Sequence, residues 1–160
     1  IALSEASYDL TTVGQVAIYA CLKLRVKQAD YSIGKHGGAG GYYALRTDAN
    51  GHMHCEVYDG TTTFTSSVAV DHFTGDFVDI LLMVDRDGGA ALMATSLGVG
   101  TPADISGSLT LTGAGKLKLG MATANSPIFA FAAVANADVS SLRTNAAAAI
   151  LAMRKFTRRA

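Results

Sequence analysis

Five consecutive apolar residues, Ile80 to Val84, lie inside the stretch Phe77-Val78-Asp79-Ile80-Leu81-Leu82-Met83-Val84-Asp85. After Arg86-Asp87-Gly88-Gly89 a second apolar run, Ala90 to Ala94, comes back. The first run is too short to span a bilayer and too rich in β-formers for a loop. Asp-Gly readily supplies the positive φ that a tight turn needs. The two runs therefore read as a buried central strand and its hairpin partner, and the rest of the chain has to pack around them.

The flanking sequence has the same character. From Val13 to Val26, apolar residues alternate with others, and in the second half Lys23 and Arg25 take the alternate positions. That spacing predicts a strand with one wet face. Residues 1–12 read as an edge strand or an arm, and Tyr31–Gly34 as a short strand. Lys35–Gly41 is a glycine-rich connection, without the Ser or Thr and the following helix that a phosphate loop requires. Tyr42–Thr47 and His52–Tyr58 are strands joined by Asp48-Ala49-Asn50-Gly51, a strong hairpin signal. Asp59-Gly60 turns the chain into Thr62–Val70. Later come Leu109–Leu111, Leu117–Leu119 and Pro127–Ala135. Short strands about ten residues apart predict a single all-β domain over 1–160, an antiparallel sandwich. The end differs. Leu142, Ala146, Ala149, Ile150 and Met153 fall at helical spacing after Asp138 or Ser140, which predicts one C-terminal helix over about 140–155.

Composition narrows the partners. The 160 residues carry 13 basic and 13 acidic side chains, so the chain lacks the basic surface on which nucleic-acid affinity rests. Arg154, Lys155, Arg158 and Arg159 read as a solvated basic tail. There is no apolar run of 18 residues and no Met at position 1. The expectation is therefore no membrane span, and a processed product or a piece of a longer chain. Cys21 and Cys55 read as two buried thiols, the alternative being one bridge between sheets.

Catalytic patterns are sparse. Retaining glycoside hydrolysis needs two carboxyl groups ~5–5.5 Å apart. The chain has two Glu, and Glu56 and Asp59 stand three apart, on opposite faces of a strand. His54 and His52 also fall opposite Cys55. His52, His54 and Glu56 share one face and read as the wet side of a hairpin, with no third metal ligand in view. The chain reads as a non-enzyme.

Taken in order, Tyr31-Ser32-Ile33-Gly34-Lys35, Gly41–Gly51, Glu56–Thr62 and Gly75–Gly89 resemble a laminin-G-like, concanavalin-A-like jelly-roll domain. Ile105–Leu109 and Leu117–Gly120 complete the resemblance, which is strongest over 31–120. Two departures stand out: Phe77, Val78 and Asp79 replace the family's usual Trp and His, and Met93–Gly98 replaces an aromatic followed by a second Gly turn. The resemblance implies a jelly roll that binds a surface glycan through exposed aromatics. The candidates are Tyr42, Tyr43 and Tyr58, with Asn50, Asp48 and His36 in nearby loops. It also implies calcium at one rim, where Asp76, Asp79, Asp85 and Asp87 surround the central strand. Asp85 and Asp87 are the candidate ligands, although aspartates flanking a turn are also ordinary turn chemistry. Domains of this resemblance decorate bacteriophage and other virions and bacterial surfaces. The expectation is therefore an adhesion or carbohydrate-binding domain on a virion or extracellular surface, forming homo-oligomers. The alternative is a purely architectural module that binds copies of itself and no sugar.

Overall fold

A computed structural model describes residues 2–3, 14–35, 41–106, 117–119, 127–135 and 139–157. In chain order the strands are β1 (Ala2–Leu3), β2 (Gln15–Lys23), β3 (Asp30–Lys35), β4 (Tyr42–Thr47), β5 (Met53–Tyr58) and β6 (Thr63–Val68). Then come β7 (Val78–Asp85), β8 (Ala90–Thr95), β9 (Gly98–Val99), β10 (Ala103–Asp104), β11 (Leu117–Leu119) and β12 (Ile128–Ala135). The helical end is α1 (Ser140–Thr144) followed, past Asn145, by α2 (Ala146–Thr157). The first sheet runs β1-β11-β3-β4-β5-β6 and the second β10-β8-β7-β2-β12, every pairing antiparallel. The expected antiparallel sandwich is the observed one. His36 lies outside the described residues, as do Leu109–Leu111, Asp138, Arg158 and Arg159.

The organising hairpin is β7–β8, and β7 lies inside the second sheet between β8 and β2. All eight of its residues are buried. Ile80, Leu82 and Val84 point between the sheets, where they meet Tyr43, Leu45 and Val57 of the first sheet. Leu81 and Met83 point the other way and pack with Ala146 and Ile150 of α2. In the turn the positive φ falls on Gly89 (+63°) and not on Gly88, whose N–H instead donates to Asp85 Oδ1 at 2.8 Å. The Asn-Gly turn holds as expected, with Gly51 at φ +82°.

Two expectations are corrected by the helix. β2 has no wet face: Ala17, Tyr19 and Cys21 are buried on its outer side, and Ala17 and Tyr19 pack in the cluster under α2. Arg154 is not part of a solvated tail. Its Nε donates to Asp79 Oδ2 at 2.9 Å, and Asp79 is fully buried. Asp79 also accepts from the Tyr19 hydroxyl at 2.7 Å. At the other end of the helical segment, Arg143 Nη1 stands 3.3 Å from the buried Asp85. Two arginines thus fasten the helix to two carboxylates on the outer side of β7. Both thiols are free and buried. Cys55 faces the core between the sheets while Cys21 pairs with Asp79 and Phe131 on the outer side, so the two do not meet. Burial raises the Cys55 thiol far above the usual range and keeps it protonated.

The sheets are tied together along one side. The Met93 N–H donates to Ser66 Oγ at 3.1 Å, linking β8 to β6. In the crossover between β6 and β7, His72 is buried. Its N–H donates to the Gly51 carbonyl at 2.9 Å, and its Nε2 lies 3.2 Å from Thr95 Oγ1. Burial disfavours the charged imidazole and holds it below the ordinary histidine value of 6.5. The unfolded chain then binds the proton more readily, so stability is fully present above pH 6.5 and declines as pH falls from there toward the folded-state value. Urea unfolding between pH 7.5 and 5.5 is expected to show that decline, and His72→Gln to flatten it. An unchanged slope in the variant would count against His72 as its source.

Candidate functional site

The hairpin β4–β5 carries the site. Its register pairs Tyr42 with Tyr58, Ala44 with Glu56 and Arg46 with His54. Strand alternation sends Tyr43, Leu45, Cys55 and Val57 into the core and these six residues to the outer face of the first sheet. β6 adds the exposed Thr63, Thr65 and Ser67 to the same face, opposite Tyr58, Glu56 and His54. On the other side of β4, Ala44 pairs with Gly34, and Gly34 with Lys118. Gly34 holds φ +142°, and a Cβ there would stand 2.5 Å from Ala44 Cα. A glycine is therefore required at this close approach.

Small residues at the centre let longer neighbours fold down over it. Tyr42 Oη donates to Glu56 Oε1 at 2.5 Å, Arg46 Nη1 donates to Glu56 Oε2 at 2.9 Å, and His54 Nε2 lies 3.8 Å from Oε2. Glu56 is only 4 % exposed, so the expected wet row of His52, His54 and Glu56 is corrected. Tyr42 and Arg46 cover it, and His52 turns away to Asp48, Nδ1 to Oδ2 at 3.1 Å. The Tyr42 and Tyr58 rings lie side by side, centroids 5.3 Å apart and tilted by 38°. The result is a half-buried aromatic pair beside a carboxylate held in place by a phenol and a guanidinium, with exposed hydroxyls next to it. Aromatic faces stack on apolar surface while charge-assisted groups fix polar partners.

Of the residues expected from sequence, the structure brings Tyr42 and Tyr58 together. Tyr43 is fully buried in the core between the sheets and leaves the set, because its parity is opposite to that of Tyr42. Asn50 is exposed at the tip of the β4–β5 turn, its N–H donating to Asp48 Oδ1, at the far end of both strands from the tyrosine pair. Arg46, Glu56 and His54 were not expected as site residues. The signal was present: once the Asn-Gly turn sets the register, Tyr42, Arg46, His54, Glu56 and Tyr58 share one face.

Of the two expected calcium ligands, Asp85 has other partners in the structure. Asp85 is buried and accepts from Gln15 Nε2 at 3.1 Å and from the Gly88 N–H, with Arg143 against its other oxygen. A carboxylate engaged by a cation and two donors does not fit a calcium ligand, and Asp87 is exposed beside it. Among the described residues, no cluster of three or more His, Cys, Asp or Glu is arranged to hold a metal ion. Nor do the described strand residues of the outer face offer Glu56 a second carboxylate, as glycoside hydrolysis would require. Away from this face, a cleft of about 630 Å³ opens beside α2 between Phe77, Leu97, Ala130 and Arg154.

This arrangement of two antiparallel sheets is found in known structures. Over 78 % of its length the chain superposes on domains LG4-5 of the mouse laminin α1 chain, with a TM-score of 0.62 and 14 % identity, covering 36 % of that chain. The fold is a laminin-G-like, concanavalin-A-like jelly roll. The same jelly roll occurs in the heptameric SAP-like pentraxin of Limulus polyphemus, with a TM-score of 0.58 and 9 % identity over 82 % of this chain and 70 % of that one. It occurs again in the CBM40 of Ruminococcus gnavus IT-sialidase, solved bound to α2,3-sialyllactose. There the TM-score is 0.57, with 15 % identity over 78 % of this chain and 77 % of that one. No protein-family model matches the chain, and no curated protein matches it in sequence.

Proposed function

We propose that this jelly roll is a non-catalytic adhesion domain that binds a glycan on the outer face of its first sheet. The carrying observation is the Tyr42–Tyr58 pair set against the Glu56–Arg46–His54 cluster, on a face rimmed by Thr63 and Thr65. A pyranose ring lies on the tyrosines and its hydroxyls meet the guanidinium and the threonines, while the covered Glu56 carboxylate holds Tyr42 and Arg46 in place. Similarity of fold to a CBM40 solved with sialyllactose supports a sugar ligand. Arg46 and Lys118 against the single Glu56 favour an acidic sugar over a neutral one. The domain then belongs to a virion or cell-surface structural protein that presents this face to a glycan-bearing partner. The architectural reading, with no sugar ligand, draws on one different observation, the exposed apolar strand β12.

A glycan array on the isolated domain tests this. Binding is expected to a defined set of acidic glycans, weakened about tenfold by Tyr58→Ala through loss of stacking. A chelator is expected to leave it unchanged, because Asp85 is committed to Arg143. Silence across the array with folded protein would sink the adhesive reading. Binding that Tyr58→Ala does not alter would move the ligand to another face.

A further inference from the structure

The sandwich is tied shut at β6–β8 and ends on its other side in β12, which pairs with β2 alone among the described strands. The sequence of β12 is Ile-Phe-Ala-Phe-Ala-Ala-Val-Ala, with no charge and no proline. Natural edge strands are normally blunted by such residues or by bulges. A bulge between Phe129 and Phe131 disrupts the first part and leaves Phe131–Ala135 regular. Phe131 is 45 % exposed on the outer side, followed by the exposed Ala133 and Ala135.

We propose that β12 pairs antiparallel with β12 of a second copy, about a two-fold axis at Ala133. In that register Phe131 stands opposite Ala135, Ala132 opposite Val134, and Ala133 opposite itself. Each larger side chain meets a smaller one, on both faces, and no like charges oppose each other. A two-fold contact requires this self-complementarity, which a foreign strand would have to reproduce by chance. Five paired residues span ~17 Å, and a strip ~20 Å wide on each copy totals ~700 Å², the range of a reversible interface and not of a permanent one. The two second sheets, each of six strands with β9 beside β8, become one sheet of twelve strands. Because directly opposed residues in an antiparallel pair point to the same side, both first sheets lie on one side of it, with their outer faces turned the same way. On the adhesive reading, the dimer therefore presents two glycan faces to one surface.

Sedimentation velocity of the whole chain without ligand, from about 1 to 500 μM, tests the contact independently of any sugar. A reversible dimer is expected, with a Kd of about 10–100 μM. Ala133→Lys and Ala133→Glu each set two like charges face to face across the axis, and each is expected to be monomeric. Their equimolar mixture is expected to dimerise again. Both changes are at an exposed position, and circular dichroism checks that the fold is kept. Phe131→Ser, which adds no charge, is expected to weaken the dimer about tenfold. A wild-type monomer at the highest concentration would overturn the proposal. So would charged variants that dimerise like the wild type, or a mixture that stays monomeric.

Discussion

Arg154→Ala is expected to destabilise the domain by about 3 kcal/mol, the lower part of the range for removing one partner of a buried ion pair. Asp79 is fully buried in the floor beneath α2, and Arg154 supplies its counter-charge at 2.9 Å. The Tyr19 hydroxyl at 2.7 Å remains in the variant and offsets part of the loss. Removing the cation leaves the buried Asp79 carboxylate without its counter-charge, with the neutral Tyr19 hydroxyl still beside it. The test is a second substitution: Asp79→Asn added to Arg154→Ala removes the stranded charge and is expected to recover more than half of the loss, read by urea unfolding. If Arg154→Ala alone costs under about 0.5 kcal/mol, the pair behaves as a surface contact and the helix is held by its apolar face.

Leu81→Ala and Leu82→Ala are expected to cost about 3 kcal/mol each, within the usual range for buried leucine truncation. The two residues are adjacent and point to opposite sides of β7. Leu82 enters the core between the sheets, and Leu81 lies in the cluster with Ala146 and Ile150 of α2. In a two-layer sandwich with a wet outer face, Leu81 would be nearly free to truncate. Equal costs report a third layer. For a chain of this size each loss lowers the Tm by roughly 6–12 °C, measurable by calorimetry. A small effect at Leu81 beside a large one at Leu82 would mean that the helix contributes little to the fold in solution.

Much of the fold could be read along the chain, because it rests on local chemistry. Glycines 51 and 60 sit at positive φ where Asn-Gly and Asp-Gly steps end strands, and β4, β5 and β6 follow within a residue or two of their expected bounds. The apolar run Ile80–Val84 marks a strand buried on both faces, and β7 is such a strand. The site was half legible. Tyr42 and Tyr58 were expected, but Tyr43 was grouped with them although alternation sends it into the core. Glu56 was read as solvated because three polar residues in alternation ordinarily mark water, and no local pattern shows that Tyr42 and Arg46 fold over it.

The sequence by itself determined the strands, their turns, the hairpin register that places Tyr42 beside Tyr58, and the helical spacing near the C-terminus. Only the tertiary structure decided what each charged side chain faces. Asp79 and Asp85 looked like rim residues open to a cation, and each is instead occupied by an arginine from the helical end. Backbone pattern is set by neighbours a few residues away. The partner of a buried charge is set by whichever distant element desolvates it, here more than fifty residues further along the chain.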